Sequence, residues 1–194
     1  MSDRIQNVMP KEYNGKTYRS TLEAKTAEVL DKLSIPFEYE TRKIELLEGF
    51  RCVYQKDKVR SITYTPDFII GPVILECKGF ETPEWKLKKK LIFKYLQENE
   101  PETCFYQVHD AGKQLLAVLD NHWTYLGYAI QLTSKPKKIK RQIQPPKVKL
   151  YGSVTEAMAE LKIQGKPTGP ILKGLMGQKE YVYDYNWKLV KLKL

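Results

Sequence analysis

The segment Tyr64-Thr65-Pro66-Asp67-Phe68-Ile69-Ile70-Gly71-Pro72-Val73-Ile74-Leu75-Glu76-Cys77-Lys78-Gly79 constrains the fold more than any other. Two apolar runs flank Gly71-Pro72. Glycine supplies a positive φ and proline the negative φ that follows, which suits a two-residue type II′ turn. A turn of that kind pairs Ile70 with Val73. Continuing the register sets Asp67 directly across from Glu76, with Cβ atoms ~4.5–5.5 Å apart. Side chains alternate along a strand, so Glu76 and Lys78 share one face while Leu75 and Cys77 point to the other layer. Asp67, Glu76 and Lys78 therefore converge at one end of a hairpin.

Two facing carboxylates repel, and something must offset the cost. A shared proton, the neighbouring Lys78 and a divalent cation are the three candidates. Oxygen donors favour Mg²⁺, with Mn²⁺ able to substitute, over zinc. A cation held by two carboxylates beside a lysine suits phosphodiester hydrolysis, because it polarises the phosphate and lowers the pKa of a bound water. The lysine can orient or deprotonate that water, or stabilise the phosphate. The bland alternative is a Pro-Asp turn followed by a solvated Glu-x-Lys face. Against it, the run Ile74-Leu75 is apolar right up to Glu76, and Gly79 follows Lys78 at once.

The surrounding pattern is that of an α/β chain with a mixed sheet flanked by helices. Ser20-Thr21-Leu22-Glu23 has the form of a capping box, and Leu22, Val29, Leu30 and Leu33 recur at helical spacing until Ile35-Pro36. Strands are expected over 37–44, 62–70, 73–78, 103–108 and 123–132. Thr82-Pro83 opens a helix to about Gln97, and Asp110 caps a shorter one through Leu119. Residues 1–132 are read as one domain. Residues 133–147, TSKPKKIKRQIQPPK, are read as a basic linker. Residues 148–194 are read as a small, basic, helix-turn-helix-like DNA-binding module. In it, Ser153-x-x-Glu156 opens one helix, residues 168–176 form a second, and 181–192 form a strand or hairpin.

The chain has 194 residues and a net charge of +10. Residues 1–134 are balanced, so the whole excess lies in the last sixty residues, which points to a polyanion such as nucleic acid. Three cysteines at wide spacing form neither a zinc pattern nor a disulfide framework, and a reducing cytoplasm is expected. No apolar run approaches the ~20 residues of a membrane span and no leader is evident, so no membrane partner is expected; no small-molecule substrate is expected either.

The arrangement of Pro66-Asp67, Glu76 and Lys78 resembles the PD-(D/E)XK nuclease superfamily. Four blocks, YRSTLEAK (Tyr18–Lys25), FEYE (Phe37–Glu40), YTPDF (Tyr64–Phe68) and ECKG (Glu76–Gly79), are similar to phage-type endonuclease I, a Holliday-junction resolvase. The likeness extends from Tyr18 to about Leu96. It implies a restriction-endonuclease-like core and a magnesium-dependent endodeoxyribonuclease of phage or bacterial-host cytosol. It also implies branched DNA as a partner, with a homodimer as one assembly. Glu23, Asp67, Glu76 and the Cys77 main-chain carbonyl would stand at the metals, with Glu23, Asp67, Glu76 and Lys78 as the catalytic set. The Lys- and Arg-bearing insertion Leu46–Arg60 is longer than that pattern has.

Glu23 carries two competing readings, completion of the capping box and a metal ligand. Lys86, Lys88, Lys89 and Lys90, on the helix after the motif, are candidate phosphate contacts. So are Lys137, Lys138, Lys140 and Arg141 in the linker and Lys166, Lys173 and Lys179 beyond it. His109 and His122 are read as structural. The pattern YGSVTEAMAEL with a following short helix is similar to the modular DNA-binding repeats of homing endonucleases. Alternative functions are a free-standing homing endonuclease, the strand-cutting subunit of a transposase, and a non-cleaving DNA-binding architectural protein.

Overall fold

The computed structural model describes residues 9–54, 56–139 and 142–192, without side chains at 138, 139, 142 and 143. Among the described residues, five helices and several sheets, one of them mixed, make this an α/β chain. Packing divides it into two compact units. The first runs to Ala24 and resumes over Pro36–His109; the second comprises Lys25–Ile35 and the chain from Asp110 onward.

The first unit opens with a hairpin that the sequence reading did not foresee, β1 (Lys11–Tyr13) with β2 (Lys16–Tyr18). Asn14 and Gly15 both have positive φ, +50° and +73°, the requirement of a type I′ turn. Helix α1 (Thr21–Lys32) follows. It ends with Ser34 at φ +56° and the Ile35 amide bonded back to the Leu30 carbonyl, a left-handed cap that needs no glycine here.

The strand expected over 37–44 is split. β3 (Glu38–Tyr39) stops where Glu40 turns to φ +52°, and β4 begins afresh at Ile44–Leu47. The insertion contains a short ribbon, β5 (Phe50–Arg51) with β6 (Lys58–Val59). The strand expected over 62–70 is also broken, into β7 (Ile62–Tyr64) and β8 (Phe68–Ile70). Pro66 lacks the amide that a continuous ladder needs. β7 therefore pairs with β4, while β8 pairs with β3 on one edge and β9 (Val73–Cys77) on the other.

Gly71 has φ +55° and closes the two-residue turn, with Ile70 opposite Val73 and Phe68 opposite Leu75, the register expected. From β9 the chain crosses through α2 (Pro83–Asn99) to β10 (Cys104–Val108), which lies parallel to β9, giving the order β10-β9-β8-β3. Thr82 caps α2 through its hydroxyl, which accepts the Trp85 amide at 3.2 Å. The α2 face of the sheet is a core of Ile44, Tyr64, Ile74, Trp85, Ile92 and Leu96.

In the second unit Asp110 Oδ1 accepts the amides of Gly112 and Gln114 ahead of α3 (Lys113–Asp120). The strand expected over 123–132 begins later, as β11 (Tyr128–Ser134), because Trp123 is buried in a turn with its indole N–H on Asp120 Oδ1. Next come β12 (Lys137–Ile139), β13 (Gln142–Gln144), β14 (Val148–Tyr151), α4 (Val154–Glu160), α5 (Gly169–Leu175) and β15 (Tyr185–Lys191). β11 is the middle strand, with β14 on one side and β15 on the other.

Residues 128–134 thus pair in one sheet with strands of the C-terminal stretch, and the second compact unit takes in Lys25–Ile35 together with Asp110 onward. The expected linker holds the β12–β13 hairpin. The strands at 128–134 and 148–151 build a sheet that the proline and lysine content of the intervening stretch conceals. Gly174 lets α5 lie close on β15: a Cβ there would sit 3.4 Å from that of Trp187. No helix among the described residues is long and apolar enough to cross a membrane.

Candidate active site

The site lies within the first unit, where β8, β9 and β10 end together. The β8–β9 ladder runs to Phe68 opposite Leu75, and Asp67, just before Phe68, and Glu76, just after Leu75, lie at its end. Asp67 Oδ2 accepts the Cys77 amide at 2.7 Å. A residue's N–H and C=O leave a strand on the same edge, so the Cys77 carbonyl is on the Asp67 side as well. Glu76 is 4% exposed. Its Oε2 accepts the Tyr64 hydroxyl at 2.9 Å, and its Oε1 stands 3.5 Å from the Lys78 ammonium. That ammonium also lies 4.4 Å from the centroid of the Trp85 ring. Asp67, Glu76 and Lys78 are brought together as expected.

Burial sets the electrostatics. Loss of solvent, and then the charge of Glu76, push the Asp67 carboxyl up to about 8. Burial also raises Glu76, against the pull of the Tyr64 hydrogen bond and of Lys78. The Tyr64 phenol is pushed far up by burial and by Glu76, so it stays a donor.

Glu23 enters from the opposite face, the one that carries Phe68. Its Oε2 accepts the Tyr39 hydroxyl at 2.6 Å and the Arg19 amide at 3.1 Å, and its Oε1 accepts the Ser20 hydroxyl at 2.7 Å. Tyr39 pairs with Phe68 across β3–β8 and stacks at 5.2 Å from it. The capping role expected of Glu23 is thus in place, since the Glu23 amide also donates to Ser20 Oγ. Its charge nevertheless contributes to raising both Asp67 and Glu76. Among the described residues, no three His, Cys, Asp or Glu side chains are grouped so that they could hold a metal ion.

Three neighbours escaped the sequence reading. Tyr64 reaches Glu76 only because the chain breaks at Pro66. Gln107 is brought opposite Glu76 by the parallel β9–β10 register. Its Oε1 accepts the Trp85 indole N–H at 2.9 Å and the Lys89 ammonium at 3.3 Å, which leaves Nε2 to donate to His109 Nε2 at 3.2 Å. His109 Nδ1 is therefore the protonated nitrogen, and it donates to the Lys78 carbonyl. His109, read as structural from its sequence distance, stands beside Lys78. The signal that could have located both was the five-residue strand 104–108, had it been aligned beside 73–77.

The expected phosphate contacts differ in their surroundings. Lys86 and Lys90 are exposed on α2. Lys88 is half-buried, 6.0 Å from the Tyr64 ring centroid. Lys89 is paired with Glu81 at 2.5 Å. In the second unit Lys137, Lys166, Lys173 and Lys179 are exposed, while Lys140, Arg141 and the Lys138 side chain lie outside what is described. No family model, no curated protein and no solved structure matches this chain.

Proposed function

We propose that this chain is a metal-dependent DNA endonuclease of the PD-(D/E)XK kind, built on a restriction-endonuclease-like core. One observation carries the reading: at the end of the β8–β9 hairpin Asp67, held by the Cys77 amide, lies close enough to Glu76 to feel its charge, and the Lys78 ammonium stands 3.5 Å from Glu76. Burial raises both carboxyls, which favours a bound proton or a cation at the pair. The donors are all oxygens, a set that fits Mg²⁺ and accepts Mn²⁺. Asp67, Glu76 and the Cys77 carbonyl would hold the ion, with Glu23 adding negative charge from the other face. Bound there, it would supply Lewis-acid polarisation of a phosphoryl oxygen.

The chain's own residues do the rest. Tyr64 holds Glu76 in one orientation. Trp85 carries the Lys78 ammonium beside Glu76, where it can orient a water or meet a phosphate oxygen. The cationic excess from residue 135 onward, with Lys137, Lys166, Lys173 and Lys179 exposed, supplies charge for a DNA backbone.

The test is digestion of a four-way junction, a linear duplex and single strands side by side, with Mg²⁺ and with chelator. Cleavage with Mg²⁺ that chelator abolishes is expected, strongest on the junction. Preference for linear duplex would favour the homing or transposase readings, and binding of all three without cleavage would favour an architectural protein.

A further inference from the structure

The β5–β6 ribbon stands apart from the carboxylate site in both chemistry and exposure. Arg51 lies directly opposite Lys58. Like charges in that position destabilise a strand pair. Both are exposed, as are Lys56 and Arg60, and none of the four enters an ion pair with a described residue. Between the strands, Val53 and Tyr54 are 90% and 96% exposed, and Phe50 is half exposed. Lysine on a two-stranded edge guards against pairing with other chains. That purpose does not account for a tyrosine ring standing in water at the tip, which works against it. Gly49 fixes the root of the ribbon: a Cβ there would meet the Ser61 amide nitrogen and the Val59 carbonyl oxygen, each at 2.9 Å.

We propose that the β5–β6 ribbon is a nucleic-acid-contacting arm, in which Arg51 and Lys58 take one phosphate between them and Tyr54 stacks on an unpaired base. The facing cations call for an anion, and a sugar–phosphate backbone presents anions at regular spacing. In a duplex each base face is covered by its neighbours. A ring on a ribbon tip therefore finds a free face only where a base is unpaired, and stacking there needs no particular sequence. The identity of the polyanion rests on the nuclease reading; the geometry of the arm does not.

The experiment measures binding in chelator, so that cleavage plays no part, using a labelled DNA duplex with a single-stranded gap and the same duplex fully paired. Tyr54→Ala should weaken binding to the gapped DNA about tenfold and leave the paired duplex within about twofold, with Tyr54→Phe restoring the difference. Arg51→Gln combined with Lys58→Gln should reduce the salt slope by about one on both DNAs. Equal affinity of Tyr54→Ala and parent for the gapped DNA would overturn the proposal. So would an equal loss on both DNAs, or Tyr54-dependent binding to phosphatidylcholine–phosphatidylserine vesicles without any Tyr54 effect on DNA. Failure of Mg²⁺-dependent nicking with the arm effects intact would remove the nuclease reading and leave the arm standing.

Discussion

The Tyr64 phenol donates to Glu76 Oε2 at 2.9 Å across the break that Pro66 makes between β7 and β8. Hydrogen bonds to buried charged groups are worth about 1.5–3 kcal/mol. Tyr64→Phe keeps the ring packed against Trp85 and Phe105 but removes this donor. Glu76 should then hold a proton to higher pH, and the pH–rate profile for Mg²⁺-dependent nicking should move upward. At a fixed neutral pH the rate should fall about tenfold. An unshifted profile would show that the phenol only packs.

The raised carboxyl of Asp67 makes stability depend on pH with a definite sign. Its folded value lies near 8, above the ordinary carboxylate value of 3.8. Between those values the folded chain holds a proton that the unfolded chain has lost, so stability falls as pH rises through that window. Denaturant midpoints measured in chelator should decline toward about pH 8. Asp67→Asn should flatten the decline, and Mg²⁺ should raise the midpoint most at the alkaline end. A midpoint that rises over the same window would contradict the burial argument.

Glu23 can be separated into its two roles. Glu23→Gln retains an acceptor and a donor for the cap and loses the charge. Stability should change by no more than about 1 kcal/mol. Nicking should fall at least about tenfold if the charge serves the site, which is the outcome expected from its effect on Asp67 and Glu76. Parental nicking by this variant would reduce Glu23 to a helix cap.

Asp120 gathers the second unit. Its carboxylate accepts the Trp123 indole N–H at 3.0 Å, the Val154 and Thr155 amides at 2.5 and 2.9 Å, and the Thr155 hydroxyl at 2.7 Å. Asp120→Ala leaves these donors without their acceptor and should cost about 3–5 kcal/mol, read as a lower thermal midpoint. A loss below about 1 kcal/mol would mean that water replaces the carboxylate at no penalty.

Local chemistry was the legible part of the fold. Gly71-Pro72 specified the turn and, through it, the register of Asp67 and Glu76, while Thr82-Pro83 specified the start of α2. Asn14-Gly15 is equally legible as a type I′ turn, although the apolar alternation around it is weak. Non-local pairing was not legible. Gln107 and His109 reach the site only through the β9–β10 register, and Tyr64 only through the change of partner at Pro66. Composition misled at 133–147, where lysines and prolines mask a hairpin and the end of a central strand. One practical consequence follows: deleting residues 135–194 would strip both neighbours from β11, so glutamine replacements at Lys166, Lys173 and Lys179 are the cleaner test of DNA affinity.

The most direct measurement is plasmid nicking in Mg²⁺ by Glu76→Ala and Asp67→Ala, alongside DNA binding by the same variants in chelator. Both variants should lose nicking while holding DNA as the parent does, because each leaves one carboxylate of the pair without its partner. Nicking at the parental rate by either one would contradict the assignment of hydrolysis to this pair.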